Sequence, residues 1–356
     1  MRILYVIDGL GAGGKERQLV EIIRYLADSN NETGVITFKK DQPYTNSVKQ
    51  YSKYFSEIEK GRSRFKPIAK IKKIIREFQP DIIQSWDSMS SFYSYRASRN
   101  LNVKFVDGSI RDAGVEKGWE YTFKRFLLKR ADLVISNSNA GLDYYKVKGK
   151  VVYNAIDRSR FFKNTDTKDF NLIMSANFTD YKDHTTFIKA AMKLVTDSTV
   201  DNVFLPGTGK HLDTIKELIP ENLRSKFIFP GRVSDVENYI SKCKVGVLTS
   251  TSLHGEGVSN SVLEYMAGGL VPIVTKIGGS SEIIENGKNG FLIPEKGVDE
   301  IIKYVKLLLS DKSLYDKMKN EALNTVTEKF DVKSNINKLL SFYSDLIGAS
   351  HPQYIS

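Results

Sequence analysis

The stretch GEGVSNSVLEYMAGGLVPIVT, residues 255–275, reads as a loop that enters a helix, then a glycine turn and a short buried strand. Glu256 lies at the tip of the loop, and Glu264 follows eight residues later, about one turn inside the helix. Carboxylates accept hydrogen bonds from hydroxyl groups, so this pair can contact two parts of one polar ligand. The same pattern also fits a surface helix with an acidic first turn, which the helix dipole favours.

The start of this helix has the features of an anion site. Ser259 or Asn260 is placed to cap the helix, and the backbone N–H groups of residues that begin it, from Gly257 and Val258 onward, have no partner within the helix. Such N–H groups point at an anion, and the helix dipole adds to the attraction. A ligand with a phosphate and several hydroxyl groups therefore suits this stretch.

Strands and helices alternate along the chain on both sides of this stretch. Up to residue 160 the predicted strands are 3–7, 33–38, 82–84, 104–106, 133–136 and 151–153, and the predicted helices are 16–27, 67–78, 90–99 and 121–129. After residue 169 the predicted strands are 172–174, 202–205, 227–229, 245–248 and 271–274, and the predicted helices are 185–196, 213–218, 236–241, 261–267 and 282–285. Each βαβ series predicts a parallel, doubly wound sheet.

The 356 residues are thus predicted to form two tandem Rossmann-like α/β domains, residues 1–160 and 161–330. Residues 331–356 are predicted as a C-terminal helix that packs back toward the first domain, and a tail. Doubly wound sheets bind ligands beyond the carboxyl ends of their strands, so we expect an interdomain cleft with a site on each wall.

Composition narrows the class of protein. The single cysteine, Cys243, excludes an intramolecular disulfide framework, and the four histidines show no metal-binding spacing, so we expect no metal and no cofactor. The first apolar run is too short and too soon followed by Asp8 for a signal peptide, and no run approaches the roughly 18 apolar residues of a spanning helix. We therefore expect a cytoplasmic protein.

Positive charge is concentrated in the first half of the chain. Residues 1–160 hold 30 Lys and Arg against 18 Asp and Glu, whereas the whole chain has a net charge of +11. Residues 60–76 and 119–130 combine basic residues with apolar ones at helical spacing, which suits peripheral binding to an anionic membrane. The alternative is a solvated basic face over ordinary core positions. No nucleic-acid recognition motif accompanies the charge, so we expect no nucleic-acid partner.

The first loop, GLGAGG at residues 9–14, satisfies the G-x-G-x-x-G pattern of dinucleotide sites. An NAD-dependent enzyme needs an acidic residue after the second strand, where this chain has Lys39 and Lys40. Lysines at this place can hold a 2′-phosphate, so an NADP-linked oxidoreductase remains one alternative. A non-catalytic module that binds anionic membranes is another.

A family resemblance runs through most of the chain. The stretch 255–275, followed by GGSSEII at 278–284 and NGKNGFLIP at 286–294, resembles the C-terminal signature of the retaining glycosyltransferases of family 4, whose fold is called GT-B. Near the other end, GGKERQL at 13–19 is similar to the G-G-x-E-R segment of that family. The resemblance implies that Gly13 and Gly14 face the phosphate and sugar of the donor.

Further site residues follow from the resemblance. ANFTDYKDH at 176–184 is similar to the family's G-R-x-x-x-x-K segment, so Lys182 matches the lysine that grips the donor diphosphate. Asn177 stands where the family has arginine, and its amide lacks the bidentate charge of a guanidinium. Gly207 belongs to a segment that resembles the G-x-G turn of the second domain. Arg232 and Val233 lie in FPGRV, which is similar to the segment that holds the nucleotide base.

One position departs from the family pattern. Many members have a histidine after the first-domain strand near residue 106, and VDGSIR at 106–111 contains none. Some relatives have S-x-R here, so Arg111 is expected to offer the contact to phosphate or acceptor instead.

The resemblance implies a metal-independent transfer that retains the anomeric configuration. Glu256 would hold sugar hydroxyls, Glu264 the ribose, and Lys182 with Asn177 and backbone N–H groups the leaving diphosphate. The expected donor is a nucleotide-sugar, UDP-linked rather than GDP-linked. The expected acceptor is a glycan or a polyprenyl-linked glycan in bacterial capsule, O-antigen or exopolysaccharide synthesis, with the enzyme peripheral on the inner face of the cell membrane.

Overall fold

The computed structural model describes residues 1–61, 65–114, 117–161, 169–253 and 255–348. Contacts along the chain divide it into two compact units. The first unit consists of Met1–Asn154 and the C-terminal segment that begins at Val332, and the second consists of Ala155–Asp331. Each unit is built on a parallel sheet with helices in its crossovers, which confirms the prediction of two doubly wound α/β domains.

The first unit has a seven-stranded sheet in the order β3-β2-β1-β4-β5-β6-β7. Its strands are β1 (Arg2–Ile7), β2 (Glu32–Thr37), β3 (Tyr54–Glu57), β4 (Ile82–Ser85), β5 (Lys104–Ile110), β6 (Leu133–Ser136) and β7 (Lys150–Val151). Its helices are α1 (Gly14–Ala27), α2 (Thr45–Tyr51), α3 (Phe65–Phe78), α4 (Ser88–Ser98), α5 (Gly118–Leu128), α6 (Asn139–Tyr145) and, at the end of the chain, α14 (Val332–Ile347).

Helices cover both faces of this sheet, so the central strand β1 is buried on both sides. Ile3, Tyr5 and Ile7 point into one core, which α1 completes. Their neighbours Leu4 and Val6 point into the opposite core. This alternation along one strand is the period-two pattern of a central strand in a parallel sheet.

Helix α14 belongs to the core of the first unit although it ends the chain. Its apolar stripe includes Leu339, Leu340 and Tyr343, which are buried in the same cluster as α1. The Tyr343 hydroxyl donates a hydrogen bond to Oε1 of Gln84 on β4, so the helix also makes a buried polar contact with the sheet. A buried hydroxyl needs such a partner, because an unmet hydrogen bond there is costly.

The second unit has a six-stranded sheet in the order β10-β9-β8-β11-β12-β13. Its strands are β8 (Leu172–Ile173), β9 (Val203–Phe204), β10 (Phe227–Ile228), β11 (Val245–Leu248), β12 (Val271–Thr275) and β13 (Phe291–Ile293). Its helices are α7 (His184–Thr196), α8 (Leu212–Glu217), α9 (Glu237–Ile240), α10 (Asn260–Ala267), α11 (Ser280–Ile283), α12 (Val298–Ser310) and α13 (Lys312–Lys329).

The strand orders locate the candidate sites. The order of the first sheet reverses between β1 and β4, and that of the second between β8 and β11. The crossovers from two such neighbouring strands leave in opposite directions, so a crevice opens beyond their carboxyl ends. The first crevice lies at the glycine loop after β1, and the second at the loops that carry Lys182 and Glu256.

Candidate active site

Lys182 and Glu256 meet beyond the carboxyl ends of β8 and β11. The Lys182 ammonium forms an ion pair with Oε1 of Glu256, and the side chains are only 12% and 17% exposed. The two residues are separated by 74 positions in sequence. The structure therefore brings together two of the residues that the sequence placed in one site, and in this state they neutralise each other.

Backbone contacts fix the position of Lys182. The Asp183 N–H donates to the Thr249 carbonyl over 3.0 Å, and the Thr249 hydroxyl donates to the Asp183 carbonyl over 2.7 Å. The Asp183 carboxylate accepts from the Thr186 N–H over 3.1 Å and so caps α7. Lys182 thus stands between a capped helix and the loop after β11, and both hold its backbone in place.

Glu256 is held by its own set of contacts. The Ser250 hydroxyl donates to Oε1 of Glu256 over 3.2 Å, and the Gly279 N–H donates to the Glu256 carbonyl over 2.7 Å. Gly278 has a φ of +49°, and a Cβ there would lie 2.0 Å from that carbonyl oxygen. The glycine pair after β12 therefore lets the backbone approach the Glu256 loop closely.

Helix α10 is tied to the end of β8. The Ser175 N–H donates to the Tyr265 hydroxyl and the Ser261 hydroxyl donates to the Ser175 carbonyl, each over 2.7 Å. Ser259, one of the two predicted candidates, takes the N-cap position, and its side chain makes no capping hydrogen bond. Ser261 instead bonds across to Ser175, which sets the start of α10 beside the Lys182 loop.

The other residues around α10 differ in how accessible they are. Gly257 and Val258 are buried at the start of the helix, and Asn260 is its first residue. Glu264 is only 4% exposed, in contrast to the more accessible Glu256. A ligand can therefore reach the loop carboxylate more readily than the helix carboxylate.

Asn177, Gly207 and the residues after β10 lie on adjoining loops. Asn177 is exposed, and a Cβ on Gly207 would lie 2.1 Å from the carbonyl oxygen of its neighbour Ala176. The Gly207 N–H donates to the Gly231 carbonyl over 2.8 Å. Arg232 follows with an exposed side chain, and Val233 after it is half-buried. These contacts align the loops after β8, β9 and β10 side by side.

Two histidines of the second unit have structural contacts. His184 is buried and stacks on Phe178 with 4.0 Å between ring centroids, and burial lowers its pKa to about 4. His211 pairs with Asp180 over 2.6 Å, and bonds from Lys210 and His211 lower the pKa of that carboxyl. His184 is thus a neutral core imidazole at physiological pH. A third histidine, His254, lies outside the described residues.

Charged groups crowd the switch point of the first unit. Asp8, at the end of β1, pairs with Lys39 over 2.8 Å and with Lys60, and Lys15 pairs with Asp87 over 3.3 Å. The Asp8 N–H also donates to the Asp87 carboxylate over 2.8 Å. Burial of Asp8 opposes ionisation, but the two lysines outweigh it and lower the pKa of the carboxyl.

The glycine loop leads from this network into α1. Gly13 takes the N-cap position, and Gly14 is the first helical residue. The backbone of Gly13 is extended, with a φ of −96°, so its N–H and those that follow are at a helix N-terminus. The neighbouring Glu16 is almost fully buried, and burial raises its pKa.

Arg111 lies in the first unit after β5. Its guanidinium is 3.9 Å from the ring centroid of Trp86, and its Nε donates to the Gly108 carbonyl over 3.0 Å. Burial lowers the pKa of Arg111 to about 10, so the side chain stays charged at neutral pH. Trp86 directly follows β4, which places Arg111 near the switch point of this sheet.

The described residues lack two features that other classes of protein show. They contain no group of three or more His, Cys, Asp or Glu residues placed to hold a metal ion. None of their helices combines the length and the apolar character that crossing a membrane requires.

Two family models match the chain. "Glycosyltransferase Family 4" matches residues 12–160, and "Glycosyl transferases group 1" matches residues 155–325. The two matches meet within a few residues of the boundary between the two units. The chain therefore belongs to the glycosyltransferases of family 4, as its motifs indicated.

Curated relatives match the chain at low identity. An uncharacterized glycosyltransferase of Haemophilus influenzae is 22% identical over 95% of this chain and 98% of its own length. N-acetyl-alpha-D-glucosaminyl L-malate synthase of Bacillus anthracis is 27% identical over 63% of this chain, a match that spans 62% of that relative.

Solved structures show the same fold. HepE of Anabaena, solved with UDP-glucose, has a TM-score of 0.85 at 21% identity and covers 97% of this chain and 100% of its own. A glycosyltransferase of Rickettsia africae has a TM-score of 0.83 at 21% identity, over 98% and 99% of the two chains. The chain thus has the GT-B fold. The two family models, together with this fold, make it a glycosyltransferase of the GT-B type rather than an NADP-linked oxidoreductase.

Sequence reasoning missed the residues that hold the site together. Ser250, Ser261 and Tyr265 each bond to the Glu256 loop or to the end of β8. Ser250 had a usable signal, because polar residues directly after a buried strand lie at the carboxyl edge of the sheet. Tyr265 had none, since an aromatic residue at a buried helix position reads as ordinary core.

Proposed function

We propose that this glycosyltransferase transfers a sugar from a UDP-sugar to a glycan or lipid-linked acceptor, with retention of the anomeric configuration and without a metal ion. The observation that carries the proposal is the pairing of Lys182 with Glu256 at the switch point of the second sheet, beside the N-terminus of α10. A cation and helix N–H groups suit a diphosphate, and a carboxylate suits sugar hydroxyls.

The choice of a UDP-sugar is supported by relatives. HepE of Anabaena was solved with UDP and with UDP-glucose. A relative from Escherichia coli, 23% identical over 79% of this chain, is named as a UDP-Gal:alpha-D-GlcNAc-diphosphoundecaprenol alpha-1,3-galactosyltransferase. Whether this chain transfers a hexose or an N-acetylhexosamine is the question that a donor panel answers.

The acceptor class is supported by the same kind of relatives. The E. coli enzyme and a Campylobacter jejuni relative, 23% identical over 90% of this chain, are both named for acceptors on an undecaprenol diphosphate. We propose that this chain acts in bacterial surface-polysaccharide synthesis at the inner face of the membrane, where an acceptor of this kind is accessible to a peripheral enzyme.

In the proposed reaction the bond between the anomeric carbon and the β-phosphate oxygen breaks as the acceptor oxygen bonds to the same face of the sugar. The acceptor proton passes to the leaving phosphate oxygen, so no separate base is needed. Lys182, Asn177 and the N–H groups of Gly257 and Val258 stabilise the charge that develops on the diphosphate. Glu256 orients the sugar through its hydroxyls.

The remaining predicted residues take supporting roles in this proposal. Glu264 binds the ribose, the loop with Arg232 and Val233 binds the base, and the glycine turn at Gly207 lies beside that loop. Gly13 and Gly14 of the first unit present backbone N–H groups to the donor, and Arg111 contacts phosphate or acceptor. Each of these roles follows from the position of the residue in a family motif, and substitution of that residue tests it.

A thermal-shift panel tests the donor. At a concentration of about 100 times its Kd, a ligand that binds only the folded protein stabilises it by about 2.7 kcal/mol. We expect UDP-sugars to raise the melting temperature, with GDP-sugars and NADPH giving smaller or no shifts. A panel in which UDP-sugars produce no shift would contradict the proposal.

The stereochemistry and metal requirement need a turnover assay. With the best donor from the panel, NMR of the product should show the anomeric configuration of the donor, and excess EDTA should leave the rate unchanged. An inverted product, or a rate that EDTA abolishes and Mg²⁺ restores, would refute the respective part of the proposal.

A further inference from the structure

An aromatic groove on the outer surface of the first unit lies between α3, α4 and α5. It has a volume of about 750 Å³, and its lining includes Phe65, Phe92, Phe123 and Phe126. Phe65 is 76% exposed and Phe126 is 44% exposed. Apolar side chains of this size cluster on a protein surface mainly where another apolar phase covers them. We call this feature the arginine groove, because three arginines also line it.

The three arginines are Arg96, Arg99 and Arg130, and all are exposed. Within the described residues none of them forms an ion pair with a carboxylate. The Arg130 guanidinium lies 3.5 Å from the centroid of the Phe126 ring, so one flat face stacks on the groove wall. A guanidinium that lies over an aromatic ring directs its N–H groups outward from its own edge, where they can donate to a phosphate.

Aromatic contacts extend the groove onto the exposed end of α5. Phe92 and Phe123 are 6.0 Å apart between ring centroids, and Phe123 and Trp119 are 6.3 Å apart. Trp119 is 74% exposed. A tryptophan beside phenylalanines and arginines is the combination that favours the interface between water and lipid.

Most of the apolar stripe in the other basic stretch of the sequence, residues 60–76, faces the core. Residues 60–76 include Ile71, Ile74 and Ile75, and these side chains are buried in the core under α3. The apolar stripe of α3 is therefore ordinary core over most of its length, and its lysines form a solvated face. Residues 62–64 of that stretch lie outside the described residues.

We propose that the arginine groove is the surface by which this enzyme docks on an anionic phospholipid bilayer. The aromatic side chains enter the acyl boundary while Arg96, Arg99 and Arg130 bind lipid phosphates. The net positive charge of residues 1–160 draws the unit to such a surface. A soluble polyanion would satisfy the arginines but leave the exposed rings in water, so the bilayer is the partner that fits both halves of the groove.

This inference rests on the proposed membrane location but not on the proposed donor. Its residues lie on α3, α4 and α5 and just beyond the ends of α4 and α5, and none of them is among the candidate donor residues. Failure of one can therefore be separated from failure of the other. A protein that binds vesicles yet transfers no sugar would refute the proposed function alone.

Vesicle co-sedimentation tests the groove. The full chain is mixed with vesicles of phosphatidylcholine alone or with one third phosphatidylglycerol, at low and at high salt. Each basic residue near an anionic surface strengthens binding about fivefold, so the variant R96Q/R99Q/R130Q should bind the anionic vesicles about a hundredfold more weakly. Wild-type binding should need phosphatidylglycerol and weaken as salt rises.

The matched control is a variant that also loses three positive charges, from a helix next to the groove. Lys70, Lys73 and Arg76 are exposed on α3 and do not line the groove, so K70Q/K73Q/R76Q should lose only a fewfold in affinity. Equal losses in the two variants would overturn the groove and leave a diffuse attraction. A wild-type chain that binds no vesicle, or that binds single-stranded DNA more tightly than vesicles, would also overturn the proposed docking on a bilayer.

Tryptophan fluorescence supplies a reading from the groove itself. The chain has two tryptophans, and Trp86 is fully buried, so a change on vesicle addition reports Trp119. We expect a blue shift with anionic vesicles in wild type and in the α3 control. A melting temperature and a UDP affinity that match wild type in R96Q/R99Q/R130Q show that this variant is folded. Sedimentation without a blue shift would exclude insertion of the aromatic side chains.

Discussion

The two units carry the same crevice with different chemistry. Beyond β8 and β11 the second unit has one ion pair, Lys182 with Glu256, beside the N-terminus of α10. Beyond β1 and β4 the first unit has a network in which Asp8 binds two lysines and Asp87 binds a third. The topology decides where each crevice forms, and the loop side chains decide what it can bind.

The second crevice can exchange its ion pair for contacts to a ligand, whereas the charges of the first crevice hold its own loops together. Lys182 and Glu256 each have few other partners, so a ligand with a phosphate and hydroxyls can replace the contact between them. Asp8 instead links the end of β1 to Lys39 and Lys60 from later loops. Because these lysines already neutralise its carboxylate, a ligand has no unpaired charge there to bind. We therefore expect substitutions in the second crevice to reduce catalysis most.

The largest effect is expected for Lys182→Ala. Removing one oriented group that stabilises the leaving charge should lower turnover about a hundredfold or more. The control is Lys193→Ala on α7, an exposed lysine 3.6 Å from Asp299, which should retain wild-type turnover. Steady-state assays with a UDP-sugar check both, and near-normal activity of Lys182→Ala would remove this lysine from the site.

The next largest effect is expected for Glu256→Gln. Loss of the charge-assisted bonds to the sugar should lower transfer about thirtyfold, which corresponds to about 2 kcal/mol. Bare UDP should bind at least as tightly, because Lys182 then lacks its carboxylate partner. Glu264→Gln, in the buried helix position, should weaken UDP and intact donor alike. Calorimetric titration of both variants distinguishes the two roles, and identical profiles would contradict them.

Replacing a glycine by alanine should destabilise the protein more in the second unit than in the first. Gly207 has a φ of +154°, and its new Cβ would lie 2.1 Å from a backbone oxygen, so Gly207→Ala should cost about 2 kcal/mol or more. In Gly13→Ala the nearest atom is the flexible carboxylate of Glu16, and the cost should stay under about 1 kcal/mol. Urea unfolding measures both. Equal costs would show that the Gly207 loop relaxes.

The smallest expected effect is a pH dependence of stability from His184. Its pKa is about 4 in the folded protein and 6.5 ordinarily, so between these values the unfolded chain binds the extra proton. Stability from this residue is complete above about pH 6.5 and falls as the pH drops toward 4. From neutral pH to pH 5.5 the loss should be about 1.2 kcal/mol.

His184→Gln should remove this slope, and His211→Gln should keep it. His211 is the control because its ring is partly exposed and pairs with Asp180. Thermal unfolding at several pH values, compared between the two variants, makes the test. A slope that persists in His184→Gln would assign the acid sensitivity to other groups.

Much of the fold could be predicted because its pattern is local. The strands at 133–136 and 245–248 were predicted with the bounds that the structure has, since each is a continuous apolar run between polar turns. The short edge strand β3 (Tyr54–Glu57) and the helix α2 (Thr45–Tyr51) were missed. Both are half polar and only partly buried, so neither has a clear period.

The candidate site also has a part that local motifs predicted and a part that they did not. Glu256 and Lys182 could be named from motif frames, because those frames are short and contiguous. The Ser250 bond to Glu256 and the Ser175 bonds to α10 could not, since each joins loops from separate strands. Ser259 was one of two predicted N-cap residues and holds that position, whereas the bond from Ser261 across to Ser175 had no local signal.

The sequence by itself determined the two α/β units, their glycine turns and the family, because strand and helix periods and motif spacing are properties of neighbouring residues. Only the tertiary structure decided that Lys182 and Glu256 pair, and that arginines of α4 and α5 share a groove with aromatic residues of α3. Such contacts depend on which strands and helices become neighbours, and that choice is made by burial of whole faces during packing.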